Sequence, residues 1–200
     1  MDKRIIVGIT GASGSIYAER LIDALLQVID RVYLVVTSTG QKVIQHELKI
    51  QNERFSLVDA LVTKAVAHEK LRIFSNDDMF APIASGSAAA SQMIILPCSM
   101  GTMSRVASGQ STNLLERAAD VMLKQSRPLV ICPRESPLNR IHLTNMLALS
   151  DAGATIMPAM PCFYDKPKSI EALVDTVVGR VLDFCDIENG LFKRWNSRMI

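Results

Sequence analysis

The chain has 200 residues, 48% of them hydrophobic, with interspersed charges and a formal net charge of +2. That length suits one domain with a full core. The mixed charge speaks against nucleic acid as the main partner, and no uninterrupted apolar run approaches the ~20 residues of a membrane span.

The N-terminus runs straight into a strand pattern, without the charged, apolar and cleavage regions of a signal peptide. Four cysteines (Cys98, Cys132, Cys162, Cys185) and three histidines (His46, His68, His142) are dispersed. The expectation is a cytoplasmic protein with buried free thiols and no metal site.

The first element is a strand over IIVGI (5–9), apolar on both faces as a buried parallel strand requires. It stops at GITGASG (8–14). From Ile16 the apolar positions Ile16, Leu21, Leu25 and Val28 take helical spacing. The glycines thus mark a strand-to-helix junction, where unpaired N–H groups and the positive end of the helix dipole suit an anionic or strongly polar ligand. Ser13 or Ser15 is expected to cap the helix. The spacing Gly8-x-x-Gly11-x-x-Gly14 is neither a dinucleotide fingerprint nor a Walker A loop.

VYLVVT (32–37) reads as the second strand. Residues 48–92 are less regular: SLVDALVTKAVAHEKL (56–71) has a helical pattern, and ASGSAAAS (84–91) reads as a small-residue active-site loop. MIILPC (93–98) is a strand followed by PCSMGT (97–102), whose small hydroxyl residues let a planar polar ligand approach the backbone. LLERAADVMLKQ (114–125) is an amphipathic helix. LVICPR (129–134) is a strand ending in PRESP (133–137), which sets Arg134 beside Glu135. A helix over 141–153 ends at Gly153, a weaker strand covers ATIMP (154–158), and a helix over 169–185 starts at Ser169 as N-cap.

Strands alternating with helices imply βαβ units and a parallel sheet covered on both faces. The expected fold is a single-domain, three-layer α/β structure, Rossmann-like in the flavodoxin-like sense. Ligands in such sheets collect beyond the carboxyl ends of the strands. Here those ends read GASG, TSTG, PCSMGT and PRESP, four polar loops expected to converge on one crevice.

In order along the chain, GITGASG, the TS at 37–38, ASGS at 84–87, PCSMGT, NLLERAADVMLK, RPLV with PRE, HLTNML, GA-x-I-x-P, P-x-FY and VDTVVGRVLD resemble the flavin prenyltransferase (UbiX) family. The resemblance covers nearly the whole chain. One departure is GSAAASQM, which replaces a bulkier stretch of many members and bears on the shape of the isoprenyl pocket.

The resemblance implies transfer of a dimethylallyl group from dimethylallyl monophosphate to N5 and C6 of reduced FMN. The prenylated FMN would serve a UbiD-type decarboxylase. It also implies a homo-oligomer, typically a dodecamer, with sites at subunit junctions and no metal. FMN would be held by Gly11, Ala12, Ser13, Ser38, the loop Ser99, Met100, Gly101, Thr102, and Arg134. Lys124, Arg134, Tyr164 and Arg180 would surround the prenyl phosphate. Glu135 would act as acid and base, Ser13 and Glu47 would relay the N5 proton, and Arg117 would support the site. Trp195 would cover the prenyl pocket from a tail (187–200) that follows the FMN domain (1–186). Leu191, Phe192, Trp195, Met199 and Ile200 in that tail have too little length to bury themselves locally and are expected to pack across a subunit boundary.

Three rival readings have discriminators. A flavin-dependent cysteine decarboxylase of the same fold would carry Asn-Thr where PCSMGT stands. A non-catalytic flavin carrier has no need of the Lys124, Glu135, Tyr164 and Arg180 set. An NAD-binding oxidoreductase would want an acidic ribose ligand where Thr37 and Ser38 end the second strand.

Overall fold

The computed structural model describes residues 3–48, 69–87 and 90–194. Six strands form one all-parallel sheet: β1 (Arg4–Ile9), β2 (Arg31–Val36), β3 (Leu71–Phe74), β4 (Gln92–Cys98), β5 (Leu129–Pro133) and β6 (Thr155–Ile156). Their spatial order is β3-β2-β1-β4-β5-β6. The helices are α1 (Ser15–Val28), α2 (Ser38–Glu47), α3 (Met100–Ala107), α4 (Leu114–Lys124), α5 (Arg140–Asp151) and α6 (Ile170–Phe184).

Alternation along β1 divides the core in two. Ile5, Val7 and Ile9 face one layer, packing with Leu21 and Leu25 of α1 and Val178 and Leu182 of α6. Ile6 faces the other, with Met103 of α3, Leu115, Val121 and Met122 of α4, and Leu149 of α5. Full burial of such side chains stabilises by about 1.5–3 kcal/mol each. A sheet buried on both faces leaves its loops as the place for polar chemistry.

Five of the six strands lie where their β-branched runs predict them, β6 shortened to two residues. Ser169 caps α6 by accepting from Ala172 N–H, as expected. Gly153, φ 97°, stands just past α5 in the left-handed conformation its side-chain-free backbone allows.

Three elements and one helix cap depart from the sequence reading. β3 begins at Leu71, within the stretch expected to be helical; the rest of that stretch through His68 lies outside the described residues. α2 and α3 start where only loops were expected. Neither Ser13 nor Ser15 caps α1: its N-cap is Gly14, φ 116°, which makes no side-chain cap bond.

Candidate active site

The strand order reverses between β1 and β4, so the connections leaving these two neighbours diverge to opposite sides of the sheet and open a crevice at their carboxyl ends. Thr10, buried at the end of β1, holds that crevice to a fixed width. Its hydroxyl donates to Pro97 O (2.9 Å) and accepts from Ser99 N–H (2.7 Å), while its own N–H reaches Pro97 O (3.3 Å). Gly11 follows, in close contact with α2: a Cβ there would lie 2.5 Å from Thr39 Cγ2.

The donors at the start of α1 already have a partner. The Glu47 carboxylate, at the far end of α2, accepts from Gly14 N–H (2.9 and 3.1 Å) and Ser15 N–H (2.7 Å). Burial pushes the Glu47 carboxyl up, but hydrogen bonds from the Ser13 hydroxyl, the Ser15 and Gly14 N–H groups and the Ser15 hydroxyl outweigh it and hold the group below its ordinary value. Ser13 and Glu47 are thus brought together. The anion that the α1 dipole favours is supplied by the protein itself.

Two other helix starts remain available at the crevice. Thr37 caps α2 and leaves Ser38 exposed. Ser99 caps α3 and leaves Gly101 exposed, where an added Cβ would meet only Arg105 Nη1, at 3.5 Å. Behind this second turn runs a polar chain. Ser99 Oγ donates to Thr102 Oγ1 (3.2 Å), which also accepts from Arg105 Nη2 (3.4 Å), and Arg105 Nε donates to the fully buried Glu116. Burial raises the Glu116 carboxyl; hydrogen bonds from Arg105, Thr112 and Asn113 overcome that and lower it.

Arg134, directly after β5, donates Nε to Ser13 O (2.9 Å) and so ties the β5 loop to the β1 loop. Tyr17 stands nearby: burial raises its phenol, and the Arg134 charge opposes the shift. Glu135 is exposed, with Oε1 accepting from Ser136 N–H (3.0 Å). Ser13, Ser38, Glu47, the 99–102 turn, Arg134 and Glu135 therefore belong to one edge of the sheet.

A second recess, walled largely by Met157, Pro158, Met160, Val177 and Phe192, lies between the 157–165 segment, α6 and the chain after α6. It is a cavity of about 850 Å³ whose wall includes Tyr164, Arg180, Lys193 and Arg194. Thr176 braces it by accepting from Cys162 N–H (3.2 Å) and donating to Leu173 O (2.7 Å). Arg134 and Glu135 do not line this cavity.

The Flavoprotein family profile matches residues 1–182. A flavin prenyltransferase UbiX of Halalkalibacterium halodurans is 53% identical over 192 residues, which are 96% of this chain and 92% of that protein. The chain belongs to the UbiX flavin prenyltransferase family. Among solved structures, AnUbiX in complex with FMN and dimethylallyl pyrophosphate superposes with a TM-score of 0.87 at 39% identity, covering 98% of this chain and 99% of that one. A dodecameric FMN-dependent UbiX-like decarboxylase from Escherichia coli O157:H7 gives 0.86 at 37% identity, covering 97% and 100%.

The remaining residues matched to UbiX lie elsewhere. α4 starts at the carboxyl edge, where Leu114 N–H bonds Asn76 O just after β3, and runs back to the start of β5. Its 11 residues span about 16 Å, so Lys124 is exposed at the amino edge, across the sheet from Arg134. Arg117, one turn into α4, donates to Ala84 O (3.1 Å) and pairs with Asp120 (2.9 Å). Trp195 lies outside the described residues. The expected residues thus occupy three places in one chain.

Sequence reasoning passed over Thr10 and the Arg105–Glu116 pair. A lone Thr closing an otherwise apolar strand, and a Glu on the apolar side of LLERAADV, were the available signals.

Proposed function

We propose that this chain transfers a dimethylallyl group from dimethylallyl monophosphate to N5 and C6 of reduced FMN, releasing phosphate, and that the product serves a UbiD-type decarboxylase. One observation carries the reading: two separate recesses of the chain present groups that suit a phosphate. The crevice has the starts of α2 and α3, with Ser38, Ser13 and Gly101 exposed, which fit a flavin nucleotide's phosphate and polar ring edge. The cavity places Arg180, Lys193 and Arg194 beside Tyr164. A flavin carrier has no use for the second.

Reduced FMN supplies the nucleophilic N5 and C6 that receive the five-carbon unit. Gly11, Ala12, Ser13, Ser38, Ser99, Met100, Gly101, Thr102 and Arg134 hold it. Ser13, hydrogen-bonded to Glu47, holds the proton at N5; the lowered carboxyl keeps Glu47 an acceptor at neutral pH. Arg180, Arg134, Lys124 and Tyr164 hold the prenyl phosphate, and forked guanidinium donors match its oxygens. Fixed cations of this kind stabilise the charge that develops on a departing phosphate. Glu135 protonates the leaving phosphate oxygen and accepts a proton from the flavin, and Arg117 steadies the chain at Ala84 through its carbonyl.

Tyr164, Arg180, Lys124 and Glu135 meet only where copies of the chain meet, in a homo-oligomer such as a dodecamer. Ile141, Leu143 and Leu147 are exposed on α5, as are Met160 and Phe163, and apolar surface of this extent marks contact with a second copy. Trp195 covers the prenyl site there. The protein acts in the cytoplasm, where thiols such as the buried Cys98, Cys132 and Cys185 stay reduced.

The test is mass spectrometry of flavin extracted after anaerobic incubation with FMN, reductant and dimethylallyl monophosphate. The expected product is FMN carrying one five-carbon unit. Unmodified FMN under conditions where binding is saturated overturns the reading.

A further inference from the structure

α6 carries a glycine in its interior, in VVGRVLD, where alanine would make a more stable helix. Space explains it. A Cβ on Gly179 would lie 2.3 Å from Phe192 Cδ1, 2.6 Å from Phe192 Cε1 and 3.1 Å from Asn189 Oδ1. The chain after α6 folds back across the helix and seats the Phe192 ring on the bare backbone of this one residue.

Polar clasps surround the seat. The Asn189 side-chain amide donates to Gly179 O (3.3 Å), Asp183 Oδ1 (2.9 Å) and Ile187 O (3.2 Å). Arg194 closes on Asp183 Oδ1 (2.6 Å), and Lys193 N–H reaches Asp165 Oδ2 (3.1 Å). The sequence expectation that this tail is too short to bury its apolar residues locally does not hold for its first part: Leu191 and Phe192 are partly buried on their own chain. The result is a cavity wall that Phe192, Lys193 and Arg194 share with Tyr164 and with Arg180, the residue after Gly179.

We propose that Gly179 is a positioning residue for this cavity: it is the notch that seats Phe192, and through Phe192 it sets Lys193 and Arg194 beside Arg180. Any side chain at 179 must displace the ring, and with it the wall. The inference rests on the reading of this cavity as the prenyl-phosphate subsite.

The test is Gly179→Ala in the full chain, reconstituted with FMN. Tryptic cleavage after Lys193 and Arg194, followed by mass of the C-terminal fragment, is expected to accelerate at least about tenfold as the tail leaves its seat. kcat/KM for dimethylallyl monophosphate is expected to fall about 10- to 10²-fold, the cost of a misplaced binding wall, while FMN affinity stays unchanged. Phe192→Ala, which keeps the helix as it is, should show the same two effects. The double variant should be little worse than Phe192→Ala alone, because the second change removes the two ring atoms the new Cβ would strike and leaves only Asn189 Oδ1, at 3.1 Å.

A protected tail with unchanged kcat/KM in Gly179→Ala overturns the proposal, and so do effects that simply multiply in the double variant. If the wild-type protein makes no prenylated flavin, the functional reading fails instead, and the proteolysis arm still decides whether Gly179 seats the tail.

Discussion

The Glu47 carboxylate meets the N–H of Ser15 at 2.7 Å, so the end of α2 closes the start of α1 across 32 residues of chain. The bond caps a helix and sets the Ser13 hydroxyl against the same carboxylate. Its folded pKa is lowered, so its contribution to stability is present above the unfolded carboxyl's ordinary 4.5 and is lost as pH falls through the folded value. Glu47→Ala is expected to cost about 0.5–2 kcal/mol at neutral pH, the range for a lost N-cap. In urea unfolding at fixed protein concentration, that gap should narrow as pH drops below 4.5. A gap that stays constant through acid conditions would show that the charge is not what caps α1.

Arg20 of α1 and Asp175 of α6 form a forked pair, Nε to Oδ1 at 2.8 Å and Nη2 to Oδ2 at 2.7 Å. The two side chains differ in exposure, 33% for Arg20 against 11% for Asp175. Removing the arginine strands a nearly buried carboxylate, whereas removing the aspartate leaves a guanidinium that can turn to water. Arg20→Ala is therefore expected to destabilise more than Asp175→Ala, with the larger loss about 1–3 kcal/mol. Equal losses would mean that the pair is solvated like a surface ion pair.

The sheet was legible in the sequence because strands buried on both faces read as continuous β-branched runs; Val7 and Ile95 look alike wherever such a sheet is built. α2 was not, since only Gly40 and Ile44 of its ten residues are buried and no stripe results. β3 is a four-residue edge strand with Arg72 and Ile73 exposed, too short to break the helical pattern running into it. α3 does carry a stripe, Met100, Met103 and Val106, but its first turn coincides with the hydroxyl-rich PCSMGT and reads as loop. Within the site, the sequence named the right residue types at the strand ends. It had no local signal for Glu47 reaching Gly14, since a bond across 33 positions has no periodicity. Nor did the residue types reveal that Lys124 ends a helix at the opposite edge of the sheet from Arg134.

Glu135 offers a clean separation of proton transfer from binding. Its Oε1 accepts from Ser136 N–H at 3.0 Å, a bond that the amide oxygen of glutamine can make equally well. Glu135→Gln should therefore keep the loop, FMN and dimethylallyl monophosphate in place, while single-turnover transfer with pre-reduced FMN slows about 10²- to 10⁴-fold. Arg180→Ala should behave differently, weakening the prenyl phosphate as well as turnover, because it withdraws fixed charge from the cavity. A Glu135→Gln rate within tenfold of wild type would take Glu135 out of the proton transfer and direct attention to Glu47.

Lys124 and Glu135 lie at opposite edges of one sheet, so the phosphate they share is expected where two copies meet. If both act on it, they come from different copies, and defects in the two should complement. Lys124→Ala and Glu135→Gln chains, each inactive alone, are to be co-expressed with different tags and the mixed oligomers purified through both. With subunits mixed at random, a site needs an intact Glu135 from one chain and an intact Lys124 from its neighbour, and about a quarter of sites in a symmetric assembly meet that condition. Activity per site should accordingly return to about a quarter of wild type. Pairing Lys124→Ala with Lys124→Ala/Glu135→Gln, in which no chain supplies an intact Lys124, should restore none. Mixed oligomers as inactive as their parents would mean that both residues serve the same subunit's site, and a Lys124→Ala chain that stays active alone would mean that Lys124 does not contribute. Measuring the Lys124→Ala variant's affinity for dimethylallyl monophosphate separates those outcomes, because a lysine that holds the phosphate weakens binding when it is removed and a solvated one does not.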